Sequence, residues 1–204
     1  MSLLNQQQLD KVAASIRSVE SQTDAELVTV LAKQADNYYY IPTLWAAMTA
    51  LLIPLLLTLT PFWLEGNDLL VAQWVTFIVV ASVFRIPAIM MRLVPKRVKH
   101  WRASSLARRQ FLENNLHHTH GGTGLLIFVS AAEHYVEIIA DRGISQYVDD
   151  SHWQRIINDF TTQLIMGNAD QGFVDCIEQC GKLLTEFVPA SREKNELPNH
   201  LILI

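Results

Sequence analysis

Two long runs of apolar residues dominate the pattern of the chain. The first covers residues 41–64 and contains no charged residue, and the second covers residues 69–84. A helix rises 1.5 Å per residue and a bilayer core is about 30 Å thick, so ~20 apolar residues suffice to cross it. The short polar turn between the runs, residues 65–68, has the composition of a chain reversal. The pattern predicts a two-helix transmembrane hairpin over residues 41–93.

The distribution of Lys and Arg predicts the orientation of the hairpin. The turn carries Glu65 and Asp68 and no basic residue. A basic stretch follows the second run: Arg92, Lys96, Arg97, Lys99, Arg102, Arg108 and Arg109. Basic residues flank membrane spans mainly on the cytoplasmic side, so we expect an inner-membrane protein with both termini in the cytoplasm. Arg85 can reach the membrane interface with its side chain, which leaves open an extension of the second span to Met91.

The net charge and its distribution indicate which class of molecule the protein can bind. The formal net charge is −4 and the pI is near 5.9, which argues against nucleic acid because the basic residues are concentrated in one segment beside the membrane. That segment favours contact with anionic lipid headgroups, with a specific anionic ligand as the alternative. The predicted lipid-contact residues are Lys96, Arg97, Lys99 and Arg102.

The remaining residues have the periodicities of a folded α/β domain. Before the hairpin, apolar residues from Leu9 to Val19 recur at helical spacing, and a strand is predicted at residues 26–31. After it, a helix is predicted over residues 96–116, with Val98, Trp101, Phe111, Leu112 and Leu116 as its apolar positions. Strands at residues 125–129 and 134–140 then form an antiparallel pair, because the gap between them is too short for a crossover. Two amphipathic helices follow, the first capped by Asp149 or Asp150.

One strand before the hairpin cannot form a stable sheet alone, so it is expected to pair with the strands that follow. The hairpin is then an insertion into one domain, formed by residues 1–33 and 96–188, with residues 189–204 as a tail. Helices flanking a small mixed sheet are the expected architecture.

The segments TDAELVTVLA and GGTGLLIFVSAAEHYVEIIADRGISQYVDD, with the helices around them, resemble the TPM domain family. That family includes thylakoid proteins of photosystem repair, an auxiliary protein of an animal acetylcholine receptor and many bacterial membrane proteins. The resemblance implies a three-layer α/β/α domain around a small mixed sheet. It also implies acid phosphatase activity in some members and divalent-cation sites lined by acidic residues. In the common plan the domain precedes its anchor, whereas here the hairpin interrupts the domain.

On this resemblance the acidic residues expected to converge on calcium or magnesium are Asp141, Asp149, Asp150 and Asp170, because these cations prefer oxygen ligands. The alternative is structural: Asp149 or Asp150 caps a helix, and Asp141 pairs with Arg142 or with a turn amide. No EF-hand spacing and no phosphatase nucleophile motif occurs in the chain. No nucleotide or organic cofactor is expected.

Two further clusters have structural interpretations. His117, His118 and His120 favour a polar helix end over a zinc site, because adjacent helical side chains point apart and no further ligand motif completes a tetrahedron. Cys176 and Cys180 lie on the apolar side of the last helix and are expected to be reduced core residues.

These observations leave three hypotheses. The first is an accessory factor that supports assembly or maintenance of a membrane protein complex, and the second is a metal-assisted phosphatase acting on phosphate monoesters. The third is a lipid-surface clamp formed by the basic segment. The spans themselves carry no acidic residue, Lys or His between residues 41–64 or 69–84, so no ion path is expected.

Overall fold

The computed structural model describes residues 4–61, 66–191 and 201–204. The end of the first apolar run, residues 62–64, Glu65 of the predicted turn and residues 192–200 of the predicted tail lie outside the described residues. The chain forms two compact units, one from the residues up to 35 together with those from 101 onward, and one from residues 36–100. The long apolar helices belong to the second unit.

The first unit places helices on both faces of one sheet. Its strands are β1 (Glu26–Ala32), β2 (Gly124–Ser130), β3 (Tyr135–Ala140) and β4 (Leu201–Leu203). Its helices are α1 (Gln6–Glu20), α5 (Lys96–Glu113, from Trp101 onward), a short turn of 3-10 helix (Leu116–His118), α6 (Arg142–Ser145), α7 (Asp150–Ile165) and α8 (Ala169–Phe187).

The sheet has the strand order β3-β2-β1-β4. β1 is parallel to both of its neighbours, and β2 is antiparallel to β3. The strand before the apolar helices therefore pairs directly with the strand after them, with Glu26 opposite Gly124 and Ala32 opposite Ser130. We call the side of the sheet where β1 and β2 begin the amino edge, and the side where they end the carboxyl edge.

Alternate residues of β1 face two different helical layers. Leu27 and Leu31 lie in one core with α1, α7 and α8. Val28 and Val30 lie in a second core with the small residues of α5. Because the sheet is covered on both faces, β1 and β2 are buried along their whole length. The predicted three-layer α/β/α architecture with a mixed sheet is confirmed.

The buried face of α5 differs from the prediction. Trp101 and Leu112, expected among the apolar contacts of this helix, are exposed. The buried positions are Ala103, Leu106 and Ala107 instead. Small side chains let the helix backbone approach the sheet closely, and apolar periodicity weighted towards large residues does not detect such a face.

The end of the chain also differs from the predicted tail. Leu201–Leu203 form β4 beside β1, and the backbone N–H of Ile204 donates to the Leu31 carbonyl at 3.1 Å. A run of four apolar residues after a polar segment is too short to predict a strand, and the open edge of β1 supplies its pairing partners.

The turn between β2 and β3 fastens the last residues of β1. The N–H of Ala131 donates to the Ala32 carbonyl at 2.9 Å. The Glu133 carboxylate, which is 4% exposed, accepts from the Ala35 N–H at 3.1 Å and from the Ser130 hydroxyl. A buried carboxylate thus fixes the position at which the chain leaves the sheet.

The second unit contains α2 (Tyr40–Thr58), α3 (Gly66–Phe84), α4 (Pro87–Leu93) and the first residues of α5. α2 and α3 have 19 residues each and mean hydropathies of 1.8 and 1.6, so by length and composition both can cross a membrane. α2 packs against α3, yet none of the residues of α3 is buried.

The second long helix ends before the predicted extension to Met91. α3 stops at Phe84, and Ile86 is extended, with φ −62° and ψ 124°, ahead of Pro87 at the start of α4. A residue that precedes proline is pushed out of helical geometry by the proline ring, so the two helices are separate. Pro54, by contrast, lies inside α2.

Candidate functional site

Two loops pack tightly against each other at the amino edge of the sheet. Ahead of β2, Gly121 and Gly122 have φ values of 82° and 66°, which favour glycine. The Gly122 carbonyl accepts from the N–H of Gly143 at 2.8 Å, and a Cβ on Gly143 would lie 2.2 Å from the Gly121 carbonyl oxygen. The close approach of the two backbones therefore requires glycine at position 143.

Asp141 lies beside this glycine turn, at the end of β3. Its N–H donates to the Gly124 carbonyl at 2.9 Å, which continues the pairing of β3 with β2. Its Oδ1 accepts from the N–H of Arg142 at 2.7 Å, so Asp141 is the N-cap of α6. The backbone on both sides thus fixes this half-exposed carboxylate.

Asp149 and Asp150 begin the next helix. Asp149 is the N-cap of α7, and its Oδ1 accepts from the N–H of Ser151 at 2.8 Å. This hydrogen bond lowers the pKa of Asp149, with a smaller contribution from nearby His152. Asp150 occupies the first turn of α7 and is exposed. The capping interpretation of Asp149 therefore agrees with the geometry.

Asp170 lies at the other end of α7 from Asp149 and Asp150. α7 has 16 residues, so at 1.5 Å per residue its two ends are about 24 Å apart. Asp170 begins α8 and lies 4.0 Å from the Lys11 ammonium group. The structure does not bring it to the other predicted ligands, because a full helix separates them. Across residues 4–61, 66–191 and 201–204, no group of three or more His, Cys, Asp or Glu side chains is arranged to hold a metal ion.

A carboxylate pair lies where α1 turns into β1. Glu20 Oε1 accepts from the N–H of Leu27 at 3.0 Å, and Glu26, the first residue of β1, is 4% exposed. Burial raises the pKa of Glu20 to about 7, and the neighbouring charge of Glu26 adds to the rise, while the hydrogen bond from Leu27 opposes it. Glu20 can therefore gain or lose a proton near neutral pH, as a general acid or base must.

Sequence reasoning did not identify this pair. Glu20 and Glu26 are six positions apart on two different elements and belong to no motif. The available signal was Glu26 itself, a charged residue at the first position of a largely apolar strand, where burial is unusual for a carboxylate.

Residues 89–183 match the family model of the TPM domain. Over these residues the chain is similar to the TPM domain, and we use that name below for the first unit. The match begins in α4 and ends in α8. Helix α1 and two strands of the sheet, β1 and β4, therefore lie outside it.

A solved structure is similar to this chain in fold. The NMR structure of the BA42 protein from the psychrophilic bacterium Bizionia argentinensis is similar, with a TM-score of 0.61 and 19% sequence identity. The similarity covers 98% of this chain and 94% of that one. At this identity the similarity establishes the fold alone. No curated protein sequence matches the chain significantly.

The predicted lipid-contact residues at the start of α5 differ in how far their charges are exposed. Lys96 and Arg97 are exposed. The Lys99 ammonium group donates to the Met91 carbonyl at 3.1 Å, and the Arg102 guanidinium lies 4.8 Å from the centre of the Trp101 ring. Lys99 and Arg102 are therefore engaged by the protein itself, and Lys96 and Arg97 present their charges to the solvent.

The structure places the histidine cluster in a turn and the cysteine cluster in the core. The rings of His117 and His118 have centroids 4.0 Å apart, so the prediction that their side chains point apart is wrong. They lie in a 3-10 turn, which does not follow the side-chain directions of an α-helix. Cys176 and Cys180 are free and buried in α8, which confirms their assignment to the core.

Proposed function

We propose that the protein is a two-span integral protein of the inner membrane whose cytoplasmic TPM domain is an accessory factor for the assembly or maintenance of a membrane protein complex. The helix pair α2 and α3 carries the proposal. α2 contains no charged residue, and the one charge of α3 is Asp68 in its first turn. An apolar surface of this extent is unfavourable in water, and a bilayer would cover it.

Gln73, a polar residue of α3, supports the binding of a second membrane protein, and Ser82 of the same helix serves as the comparison. The Ser82 hydroxyl donates to the Ile78 carbonyl within the helix, at 2.7 Å. The Gln73 amide makes no hydrogen bond to any residue that the structure describes. In hydrocarbon such an amide favours association with another helix that supplies a hydrogen-bond partner.

The test of partner binding uses Gln73→Leu, with Val75→Leu as the matched control on the same helix. Each full-length variant is purified in mild detergent, and the membrane proteins that accompany it are quantified by mass spectrometry. Specific partners should be retained by the wild type and by Val75→Leu, and lost or severalfold reduced in Gln73→Leu. Equal recovery from all three proteins, or no specific partner with any of them, would refute the role of Gln73.

Membrane topology has a separate test that exploits the buried cysteines. Because Cys176 is 1% exposed and Cys180 fully buried, a membrane-impermeant maleimide should give little background with the native chain. Asn67→Cys should be labelled in cells whose outer membrane alone is permeable, and Ser151→Cys only after the inner membrane is opened. The reverse pattern would overturn the orientation, and labelling of both positions in intact cells would overturn the hairpin.

Lipid contact by the basic segment rests on Lys96 and Arg97, whose charges are exposed. Replacing both with Gln should weaken the preference of the reconstituted protein for anionic over neutral lipid, by about 1 kcal/mol per charge. Arg142→Gln provides a matched loss of a positive charge in the TPM domain, and it should leave the preference unchanged. An unaltered preference in the Lys96 and Arg97 variant would contradict the lipid-surface clamp.

A divalent-metal-assisted phosphatase acting on phosphate monoesters is the second candidate. The observation that favours it is the placement of Asp141, Asp149 and Asp150 within ten residues at two successive helix N-termini. Calcium or magnesium held by such carboxylates would polarise a phosphoryl group. Asp170 is too distant to join this set.

The phosphatase test uses Asp141→Asn combined with Asp150→Asn. Asn is as good an N-cap as Asp, so the double variant removes charge while keeping the cap of α6. Hydrolysis of a phosphate monoester is measured with and without calcium, magnesium or manganese. Metal-dependent turnover that is lost in the variant would establish phosphatase activity at this site. Equal background rates in both proteins would favour the accessory-factor proposal.

A further inference from the structure

An apolar cavity of about 580 Å³ lies at the carboxyl edge of the sheet, on the face covered by α1, α7 and α8. Leu31 and Val129, near the ends of β1 and β2, form its floor, while Leu164 and Phe173 contribute from α7 and α8. Its volume falls in the range of small-molecule binding sites, roughly 300–1,000 Å³.

The cavity lies where the connections of the sheet change sides. β2 is joined to its neighbour β1 through α5 on one face, and β4 follows α7 and α8 on the other. Open α/β sheets bind ligands outside the carboxyl ends of their strands at such a reversal, because the connections diverge there and leave a crevice. The topology therefore favours a ligand at this edge.

The lining selects an aliphatic ligand. None of the lining residues is Asp, Glu, Lys or Arg. The Thr161 hydroxyl donates to the Ile157 carbonyl at 2.7 Å, and the Tyr135 hydroxyl donates to Glu137 at 3.1 Å. A phosphorylated or multiply charged molecule would lose its hydration in such a cavity without gaining a compensating charge.

The rim of the cavity combines exposed apolar side chains with one polar group. Ile165 is 79% exposed, and the adjacent Met166 is 70% exposed. His134, held at φ 51° in the turn before β3, also borders the cavity and is exposed to solvent. An occupant with an apolar body and one hydrogen-bond acceptor would satisfy both features.

We propose that this cavity binds a long-chain fatty acid. The alkyl chain lies along the partly exposed lining residues Val136, Leu164 and Ala169. The carboxylate accepts a hydrogen bond from the His134 imidazole at the mouth. Ile165 and Met166 cover the part of the chain nearest the head group. The proposal depends on neither the accessory role nor the membrane topology.

The proposal is tested with the full-length protein in nanodiscs and palmitic acid carrying a photoreactive diazirine at its terminal carbon. After irradiation, labelled peptides are identified by mass spectrometry. We expect labelling in residues 129–136 and 161–173, competed by unlabelled palmitic acid. Label confined to α2 and α3 would report fatty acid dissolved in the bilayer and would overturn the proposal.

Two variants examine the cavity directly. Ala169→Phe places a ring at a lining position and should reduce the competed labelling at least tenfold, whereas Ala14→Phe, on an exposed position of α1, should not. His134→Gly tolerates the positive φ and removes the imidazole, so it should weaken competition severalfold without filling the cavity. If Ala169→Phe lowers the unfolding temperature strongly, His134→Gly decides. Unchanged labelling in folded Ala169→Phe, or in His134→Gly, would refute the site.

Discussion

Replacing Glu20 with Gln is expected to stabilise the TPM domain at alkaline pH and to change it little at acidic pH. The pKa of Glu20 rises from 4.5 to about 7 on folding, chiefly through burial. The folded protein therefore keeps a proton that the unfolded chain releases. The stabilising contribution of this proton is complete below pH 4.5 and is lost as the pH rises through 7. Gln keeps an oxygen for the Leu27 N–H and carries no charge at any pH.

The interval between the two pKa values sets the magnitude. At ~1.4 kcal/mol for each pH unit, it corresponds to an upper limit of about 3.5 kcal/mol at pH 8.5. Glu20 is partly exposed, so solvent screening reduces the expected gain to ~1–2 kcal/mol. For a domain of this size, that gain raises the unfolding temperature by roughly 3–6 °C.

The assay is thermal unfolding of the full-length protein in nanodiscs at pH 4 and pH 8.5. The difference between Glu20→Gln and the wild type should be near zero at the lower pH and positive at the higher one. Glu178→Gln is the matched control, because it makes the same substitution at an exposed position of α8. Its unfolding temperature should show no such pH-dependent difference from the wild type. An equal loss of stability at both pH values would refute the reasoning, since it would mean that the folded state uses the charged carboxylate.

Three further substitutions test the packing of the TPM domain. Gly143→Ala brings a Cβ to 2.2 Å from a backbone oxygen and should lower the unfolding temperature sharply, whereas Gly66→Ala, with no atom within 4 Å of its Cβ, should not. Gly181→Ala places a Cβ 2.6 Å from a Val19 methyl group and should cost ~1–3 kcal/mol in the free energy of unfolding; an unchanged value would show that α1 and α8 can separate without cost. Glu133→Gln should cost ~1.5–3 kcal/mol and accelerate hydrogen exchange at the Ala35 amide, and unaltered exchange there would contradict the role of this carboxylate.

The positions of the main elements could be predicted from local patterns. β1 and β2 are continuous apolar runs because both of their faces are covered, and α7 and α8 have apolar stripes because one face of each is covered. The core location of Cys176 and Cys180 followed from the same periodicity. The cap at Asp149 followed from residue type at a helix start.

The candidate sites were harder to predict, because they depend on distances between elements. Asp170 follows Asp150 by twenty residues but lies beyond the other end of α7, a helix about 24 Å long. Glu20 has a raised pKa chiefly because folding buries its carboxylate where α1 meets β1, and the neighbouring charge of Glu26 adds to the rise. The apolar cavity at the carboxyl edge is lined by residues of two helices, three strands and the loops beside them, so no single segment of the sequence predicts it.

Local sequence patterns were enough to predict the main elements of this protein: two helices apolar enough to cross a bilayer, inserted between two strands of an α/β domain. Hydrophobic periodicity encodes which face of a segment is buried, since burial stabilises each segment locally. Which surfaces contact each other became clear only from the folded structure. There, the alanine face of α5 packs on the sheet, Leu201–Leu203 pair with the edge of β1, and Asp170 lies at the opposite end of α7 from Asp149. Those choices depend on shape and distance between remote segments, which a local pattern does not record.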